Sequence, residues 1–569
     1  MTLPHIATFE TELALTDNAI EHRRDVGGWE VRWNPAVAAM AAREGLWPGR
    51  TAADFATDLA RNDPDRLLIV DGEHEKRAGE LFAAASQLAG YLRGVGLVDG
   101  DVISFQLPNW WEATVINLAA SLAGLVVNPI VPINRDGELV HMLGAARSRF
   151  MFVPQVFRGF DYAAMMQRVC AALPDPPQVV VLRGDPGPFL SFDAVLAAGR
   201  PLAKRRPVAS DAVKLLMYTS GTTGRPKAVL HSHDSIHADG VKMYRAMALN
   251  PGSVAFCGSP LTHVSGYLWI LNMPWLRGIP AVSIDSWSID AAFPLLERYG
   301  CTVMIGATPF LQGLVEHVEA TGRTLPRLEQ YICGGAAVPP SLIYRAYDAL
   351  PNCIAWRTFG ATETTTLTRG PDTREGAAFG AETDGRLCGA EARVVDMASG
   401  LPMSPGSEGE LLVRGPGMML GYADPQDNEG AFDEDGFFRM GDRVLMTEDG
   451  HIICTGRSKD LIIRAGENIS AKEIEDILMA SPEVAEAAVV SMPSLKTGEA
   501  ICAFMVMRSG QSFDVKDAAR LVAAAGLAKQ KTPEHVVLCE ELPKTPAGKV
   551  RKDQLRAVAA GLGPVESLR

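Results

Sequence analysis

Val213-Lys214-Leu215-Leu216-Met217-Tyr218 runs straight into Thr219-Ser220-Gly221-Thr222-Thr223-Gly224-Arg225-Pro226-Lys227. The first segment is apolar and predicts a buried strand. The second carries two glycines, which let the backbone turn tightly and expose N–H groups as an anion-binding nest. Four hydroxyl side chains and Lys227 add donors suited to phosphate oxygens. A glycine-rich loop is more often an ordinary turn, and the density of donors singles this one out. It is not a Walker A loop. That motif needs Gly followed at once by Lys and a hydroxyl residue, whereas Arg225-Pro226 separate Gly224 from Lys227 and Ala228 follows.

Outward from the loop, apolar helices alternate with short strands, such as Asp101–Leu107, Val179–Leu182, Val254–Cys257 and Val303–Ile305, with a helix at Trp110–Ala123. This alternation predicts α/β layering with largely parallel sheets. Residues 1 to about 45 are polar and mixed, and are expected to wrap the surface. Between about 380 and 455, Gly and Pro become frequent and short strands dominate, which predicts a β-rich subdomain. Beyond Gly456 a compact αβ unit follows, with a capping box at Ser470-Ala471-Lys472-Glu473 opening a helix. The expected fold class is therefore α/β: a large N-terminal domain of layered sheets plus the β-rich subdomain over 1–456, and a small α+β C-terminal domain over 460–569.

Whole-chain properties narrow the function. A length of 569 residues exceeds one simple core, and 47% hydrophobic residues is normal for a folded globular chain. A net charge of −13 without a long basic run argues against nucleic acid as a partner; Lys204-Arg205-Arg206 reads as a solvated loop. The nine cysteines are scattered without a CxxC pair, as expected for reduced thiols in a cytoplasmic protein. Met1–Glu12 lacks a signal-peptide pattern. The apolar stretch Val115–Ile133 is interrupted by Asn117, Ser121, Asn128, Pro129 and Pro132, so it reads as a buried helix and strand and not a membrane span. His231, His233 and His237 lack the Cys or carboxylate companions of a zinc site.

The loop at 219–227 resembles the phosphate-binding signature of the adenylate-forming family of acyl-CoA synthetases, peptide-synthetase adenylation domains and beetle luciferases. The resemblance continues in order from about Ala52 to Arg556. It runs through Pro260-Leu261-Thr262-His263, Gly334-Gly335-Ala336-Ala337, Phe359-Gly360-Ala361-Thr362-Glu363 and Gly441-Asp442. Gly456-Arg457-Ser458-Lys459-Asp460, Gly466-Glu467-Asn468-Ile469-Ser470 and Pro546-Ala547-Gly548-Lys549 complete it. It implies a nucleotide site made of Thr219, Ser220, Gly221, Thr222, Thr223, Lys227, Gly335, Ala336, Thr358, Phe359, Thr362, Asp442 and Arg457. Each suits its task. Phe359 offers a flat face to adenine, Glu363 a hard oxygen for Mg²⁺, Asp442 two acceptors for ribose hydroxyls, and Arg457 a fixed fork of donors. Lys549 offers a mobile charge for the α-phosphate and the attacking carboxylate. Departures from the family pattern are mild: Met440 where Thr is common, Phe359 for Tyr, Ala228 for Gly, and an unusual Arg357-Thr358 pair.

The resemblance implies ATP, Mg²⁺ and coenzyme A as the small molecules handled, and two half-reactions. A carboxylate attacks the α-phosphate of ATP, releasing pyrophosphate and leaving acyl-AMP; a thiolate then attacks the acyl carbon, releasing AMP. Lys549, Glu363 and His263 are the implied catalytic residues, with Glu363 also the metal ligand. A mobile C-terminal domain is implied to swing about a hinge near Lys459, with Gly466 leaving room for the pantetheine arm. The acid segments Leu261–Trp269, Ile305–Gly313 and Gly335–Ala336 are apolar, with Gly266, Gly306 and Ala307 read as opening space. No Asp is evident there for an amino group, and Gly45-Leu46-Trp47, Gln106-Leu107-Pro108-Asn109-Trp110 and Ile305-Gly306-Ala307-Thr308-Pro309-Phe310 look most like segments of short- and medium-chain fatty acid and cyclohexanecarboxylate ligases. Loading of an acyl carrier protein stays open as the alternative acceptor, a catalytically silent nucleotide-binding protein as the alternative of another class, and a homodimer as an open oligomeric state.

Overall fold

The computed structural model describes residues 20–563, apart from 73, 203–204, 220–225, 336–337, 458–459, 465–466, 495–496, 509–510, 526, 528 and 546–547. The strand feeding the glycine-rich loop, Val213–Thr219, pairs antiparallel with Lys227–Ser232 at the edge of a seven-stranded sheet. The other strands run in the order Leu190–Ser191, Gln178–Leu182, Ser148–Pro154, Val102–Phe105 and Val126–Pro129, all parallel. A second seven-stranded sheet repeats the plan. Ile354–Arg357, Gln330–Cys333, Val303–Gly306, Ala255–Cys257, Ala281–Ser283 and Leu67–Asp71 are parallel, and His74–Arg77 closes the edge antiparallel. Strands such as Val102–Phe105 and Val303–Gly306 are buried along their whole length, as continuous apolar runs in parallel sheets must be.

The two sheets share one core. It joins Ile103 and Phe105 of the first sheet to Ile69, Ala281 and Val303 of the second through Leu88, Leu92, Ile116 and Leu118 of two helices, Ala78–Gly94 and Trp111–Ala123. The helix Trp111–Ala123 is buried from Glu112 onward and ends on Gly124 at φ 74°, the left-handed cap that glycine adopts freely. The β-rich region is a four-stranded antiparallel sheet of Glu391–Val395, Glu408–Arg414, Phe438–Met446 and Ile452–Arg457. The C-terminal α+β part is built on Leu461–Arg464, Glu467–Ser470, Gly498–Met507, Val484–Ser494 and His535–Leu538, with helices Ala471–Met479 and Val515–Ala524. Among the described residues no helix is long and apolar enough to cross a membrane.

Two local readings change, at residues 20–45 and in the capping box, and the loop at 205–206 is exposed as expected. Residues 20–45 do not merely wrap the surface: Glu21–Arg24 and Glu30–Trp33 form a hairpin, and Trp29 and Val31 pack against Val102, Val126 and Leu216. So few apolar residues give no readable alternation. At Arg205 and Arg206 the cations are paired, with Asp54 and Asp99 respectively. The capping box is half formed. Ser470 Oγ accepts from Glu473 N–H at 3.4 Å, but the Glu473 carboxylate pairs with Lys531 at 2.6 Å instead of reaching back.

One buried group stands out in the core. Lys214 lies at an irregularity in the strand pairing and is 1% exposed. Its Nζ donates to Tyr267 Oη at 2.5 Å and to Asn117 Oδ1 at 3.3 Å. Tyr267 also donates to Asn117 at 2.7 Å, so that pair survives without the amine. Burial pushes the Lys214 ammonium from 10.5 down to about 7. The folded chain then binds fewer protons than the unfolded chain between these values, so stability rises with pH across that window. Lys214→Met is expected to abolish this rise and to leave stability at pH 7 equal or higher by about 1–3 kcal/mol. Urea unfolding at pH 7 and near pH 10 reads both, and a loss of several kcal/mol would instead make the amine a net support of the core.

Candidate active site

Thr219 and Lys227 face each other across the strand pair, at the two ends of the glycine-rich loop. Ser220, Gly221, Thr222 and Thr223 lie outside the described residues. Lys227 Nζ pairs with Asp427 at 3.1 Å and sits 5.0 Å from the centre of the Tyr422 ring. The Tyr422 hydroxyl donates to Glu363 Oε1 at 3.0 Å. Burial and the neighbouring carboxylate hold the Tyr422 phenol well above its usual pKa, so it stays a donor at neutral pH. Tyr422 reaches the loop because residues 420–423 run along the edge strand, with Leu420 N–H bonded to Leu230 and Ala423 N–H to Ala228, each at 2.8 Å. Neither Tyr422 nor Asp427 was apparent from sequence. Each contact spans a long stretch of chain, and the only local signal is a tyrosine after Gly421.

Glu363 projects from a tight hairpin in which Gly360–Ala361 pairs with Thr365–Thr366. A Cβ on Gly360 would fall 2.1 Å from the Thr365 carbonyl oxygen, so the hairpin requires glycine there. Thr362 enters the turn, and its carbonyl accepts from His231 Nε2 at 2.7 Å. That bond, and a contact of His231 Nδ1 with Ser235 at 3.0 Å, occupy both ring nitrogens. His233 Nδ1 accepts from Ala52 N–H at 3.3 Å, and His237 packs edge-on to Phe55. The three histidines therefore serve the interior.

On the expected adenine side, Thr358 N–H bonds Cys333 at 2.9 Å and Phe359 N–H bonds Thr368 Oγ1 at 2.9 Å. Phe359 is half-buried, against the cluster of the β-rich sheet. Gly335 adopts φ +87° beside this strand end, and Ala336 lies outside the described residues. The unusual Arg357 turns inward, pairing with Asp384 at 2.8 Å and donating to the Ala381 carbonyl at 2.9 Å. Asp384 also accepts from Cys454 N–H at 2.8 Å, and its carbonyl accepts from Thr368 at 2.7 Å. One half-buried residue, Asp384, thus ties the segment around Phe359 to the strand pair that carries Asp442. Asp442 is buried and stands opposite Arg457 in register. The Arg457 side chain, Lys459 and Gly466 lie outside what is described.

On the expected acid side, His263 Nδ1 accepts from Ser265 N–H at 3.4 Å at the start of a short helix. Burial first, then the charge of Lys549, lowers its pKa to about 4, so the imidazole is neutral at pH 7. The second of these causes, Lys549, belongs to the C-terminal part. Its exposed side chain follows Gly548, whose added Cβ would stand 3.7 Å from that of Ala307. The turn is held by Thr545, which donates its N–H to the Lys549 carbonyl at 2.7 Å and accepts Lys549 N–H on Oγ1 at 3.1 Å. Gly266 and Gly306 do not open space. Added Cβ atoms would fall 2.1 Å from the Pro260 carbonyl and 2.7 Å from the Phe310 ring, so neighbouring chain already fills those positions. Phe310 itself stacks on Trp287 at 4.4 Å. Among the described residues no cluster of three His, Cys, Asp or Glu side chains could hold a metal by itself.

Comparison with known proteins fits this arrangement. Residues 56–423 match the AMP-binding enzyme family, and residues 473–549 match the AMP-binding enzyme C-terminal domain. The chain is 34% identical over 530 residues to a medium-chain fatty-acid–CoA ligase of Escherichia coli, covering 92% of this chain and 93% of that protein. It is also 34% identical over 556 residues to a salicyl-AMP ligase / salicyl-S-ArCP synthetase of Mycobacterium tuberculosis, covering 94% and 96%. The solved structure of ATP-bound MatB from Rhodopseudomonas palustris superposes with a TM-score of 0.80 at 26% identity, over 90% of this chain and 99% of that one. The chain belongs to the AMP-binding enzyme family and is an adenylate-forming ligase.

Proposed function

We propose that the protein is an ATP-dependent carboxylic acid–CoA ligase acting on a short- or medium-chain aliphatic or alicyclic acid. The observation that carries this reading is the Lys227–Tyr422–Glu363 group beside the glycine-rich loop, supported by a neutral His263 that feels the charge of Lys549. In the first half-reaction a carboxylate oxygen attacks the α-phosphorus of ATP and the bond to pyrophosphate breaks. Lys549 neutralises charge on the α-phosphate and the incoming carboxylate, and His263, uncharged, orients that carboxylate as a hydrogen-bonding partner. Lys227 and the hydroxyls of Thr219–Thr223 receive the departing pyrophosphate. Phe359 and Thr358 face adenine, with Gly335 and Ala336 beside them; Asp442 takes the ribose hydroxyls and Arg457 a ribose or phosphate oxygen.

Mg²⁺ fits the donor set at Glu363. A carboxylate has about four lone-pair sites; Tyr422 takes one on Oε1, and the others are the hard oxygens that Mg²⁺ prefers. Bound with ATP, the ion supplies charge neutralisation on the phosphates, and Glu363 with Thr362 would hold it.

In the second half-reaction the thiolate of coenzyme A attacks the acyl carbon and the bond to AMP breaks. This requires the Lys549 turn to withdraw, and we assign the mobile unit to residues 460–569, hinged near Lys459, with Gly466 beside the pantetheine arm. The apolar acid segments and the fatty-acid ligase relative support the substrate class. The carrier-loading relative keeps acyl carrier protein as the second reading of the acceptor. Nine unpaired cysteines support a cytoplasmic setting.

A panel of carboxylic acids with Mg·ATP, with and without coenzyme A, tests the reading through pyrophosphate release and thioester formation. Pyrophosphate without thioester would favour carrier loading, and no pyrophosphate with any acid would leave a silent nucleotide-binding protein. Lys549→Ala is expected to slow adenylation by about 10²–10³-fold while sparing thioester formation from preformed acyl-AMP; equal losses would refute the alternation of the C-terminal unit. Tyr422→Phe keeps the ring under Lys227 but removes the donor to Glu363. Titration with a non-hydrolysable ATP analogue and Mg²⁺ is expected to read an affinity weakened about 3–10-fold; an unchanged affinity would free Glu363 of any dependence on Tyr422.

A further inference from the structure

We propose that His231, Asp239 and Lys242, three buried side chains behind the Gly360–Thr366 hairpin, are positioning residues that hold Glu363 where it serves Mg·ATP. The inference rests on the proposed role of Glu363. The backbone supplies the motive. Thr365, two residues beyond Glu363, has φ +57°, a left-handed conformation that a β-branched side chain strongly disfavours. Such backbone persists only where its surroundings over-determine it, and it concentrates at functional sites.

The surroundings here are specific. Asp239 Oδ1 accepts the Thr366 N–H at 2.9 Å, and Lys242 donates to the Thr366 carbonyl. The two are one helical turn apart on His233–Ala246, 3.6 Å from one another, and 1% and 6% exposed. On the other flank of Glu363, His231 Nε2 donates to the Thr362 carbonyl at 2.7 Å. A carbonyl only accepts, so the proton must reside on Nε2 and Nδ1 must accept from the Ser235 hydroxyl at 3.0 Å. Burial favours the neutral ring that this single tautomer needs. The Glu363 carbonyl is in turn fixed by Met419 N–H at 2.8 Å.

The backbone is therefore gripped immediately before Glu363, at it, and three residues after it. A purely structural role does not account for the choice of groups. A buried ion pair is often no more stabilising than apolar residues of similar volume. All three side chains also bond main-chain atoms of the catalytic hairpin as well as groups on their own strand–helix unit. The sequence offered no sign of this: His231 reads only as one of three histidines, and nothing marks Asp239 or Lys242.

The test uses full-length protein and the affinity of a non-hydrolysable ATP analogue with Mg²⁺ and with EDTA. Asp239→Ala and His231→Leu are expected to lose about 10-fold to 100-fold in the Mg²⁺-dependent gain of affinity, with metal-free affinity within about twofold. Asp239→Asn keeps an acceptor for Thr366 and is expected to recover most of the gain. Amide hydrogen exchange over residues 360–367 without ligand is expected to quicken in Asp239→Ala and His231→Leu, which reads the grip even if no nucleotide binds. Equal losses with and without Mg²⁺, or a retained Mg²⁺ gain in folded variants, overturns the proposal; so does unchanged exchange. Should Asp239→Ala fail to fold, His231→Leu and Asp239→Asn carry the same comparison. Absence of pyrophosphate release from the wild type would count against the ligase reading alone.

Discussion

An active centre for phosphate chemistry must keep a cation and a carboxylate close without letting them cancel. Lys227 and Glu363 meet that constraint through Tyr422. The ring faces the ammonium and the hydroxyl bonds the carboxylate, so one side chain addresses both charges while they stay apart. A direct Lys–Glu bridge would instead consume the donor and the acceptor that the proposed function needs. The phenol can do this because burial and Glu363 itself keep it protonated. The partner that Lys227 does take is Asp427, at 3.1 Å, which fixes the ammonium beside the loop.

That arrangement depends on how the β-rich region meets the first sheet. Residues 420–423 bond the edge strand Lys227–Ser232 and so bring Tyr422 over the loop. From the second sheet, the strand Ile354–Arg357 delivers Phe359 and the Glu363 hairpin. Asp384 joins these parts, since it receives Arg357, Thr368 and the Cys454 amide. The carboxylate accepts charge-assisted hydrogen bonds from Arg357 and one from the Cys454 amide. The Phe359 strand and the Asp442 strand pair are thus coupled through one residue, and a shift of either must break bonds at that residue.

Much of this was legible and some was not, for physical reasons. The strand into Thr219, the buried helix after Trp110 and the β-rich stretch announce themselves through apolar periodicity and glycine content. Glu363, Asp442 and Lys549 are visible because each sits in a short, distinctive segment. Tyr422, Asp427, Asp384, His231 and Asp239 sit in unremarkable local sequence, and only long-range packing gives them partners. Gly266 and Gly306 mislead for the complementary reason. A missing Cβ signals close approach, but sequence does not say whether a ligand or the chain's own Pro260 and Phe310 make it.

The C-terminal part touches the large domain at the expected acid side. Gly548 lies near the Ala307 methyl, and the Arg508–Glu316 pair is exposed at 3.9 Å. An exposed pair of this kind is worth about 0–1 kcal/mol, and a glycine contact adds little apolar burial. From this part the charge of Lys549 acts on His263. A neutral imidazole helps, because a protonated one would repel the incoming ammonium in a buried setting. In the proposed two-step reaction, an arm held by strong contacts would serve adenylation and then obstruct the thiol. An arm held weakly in the absence of substrate can instead be drawn in by the charge of ATP and the carboxylate. Once pyrophosphate has left, that pull on Lys549 falls.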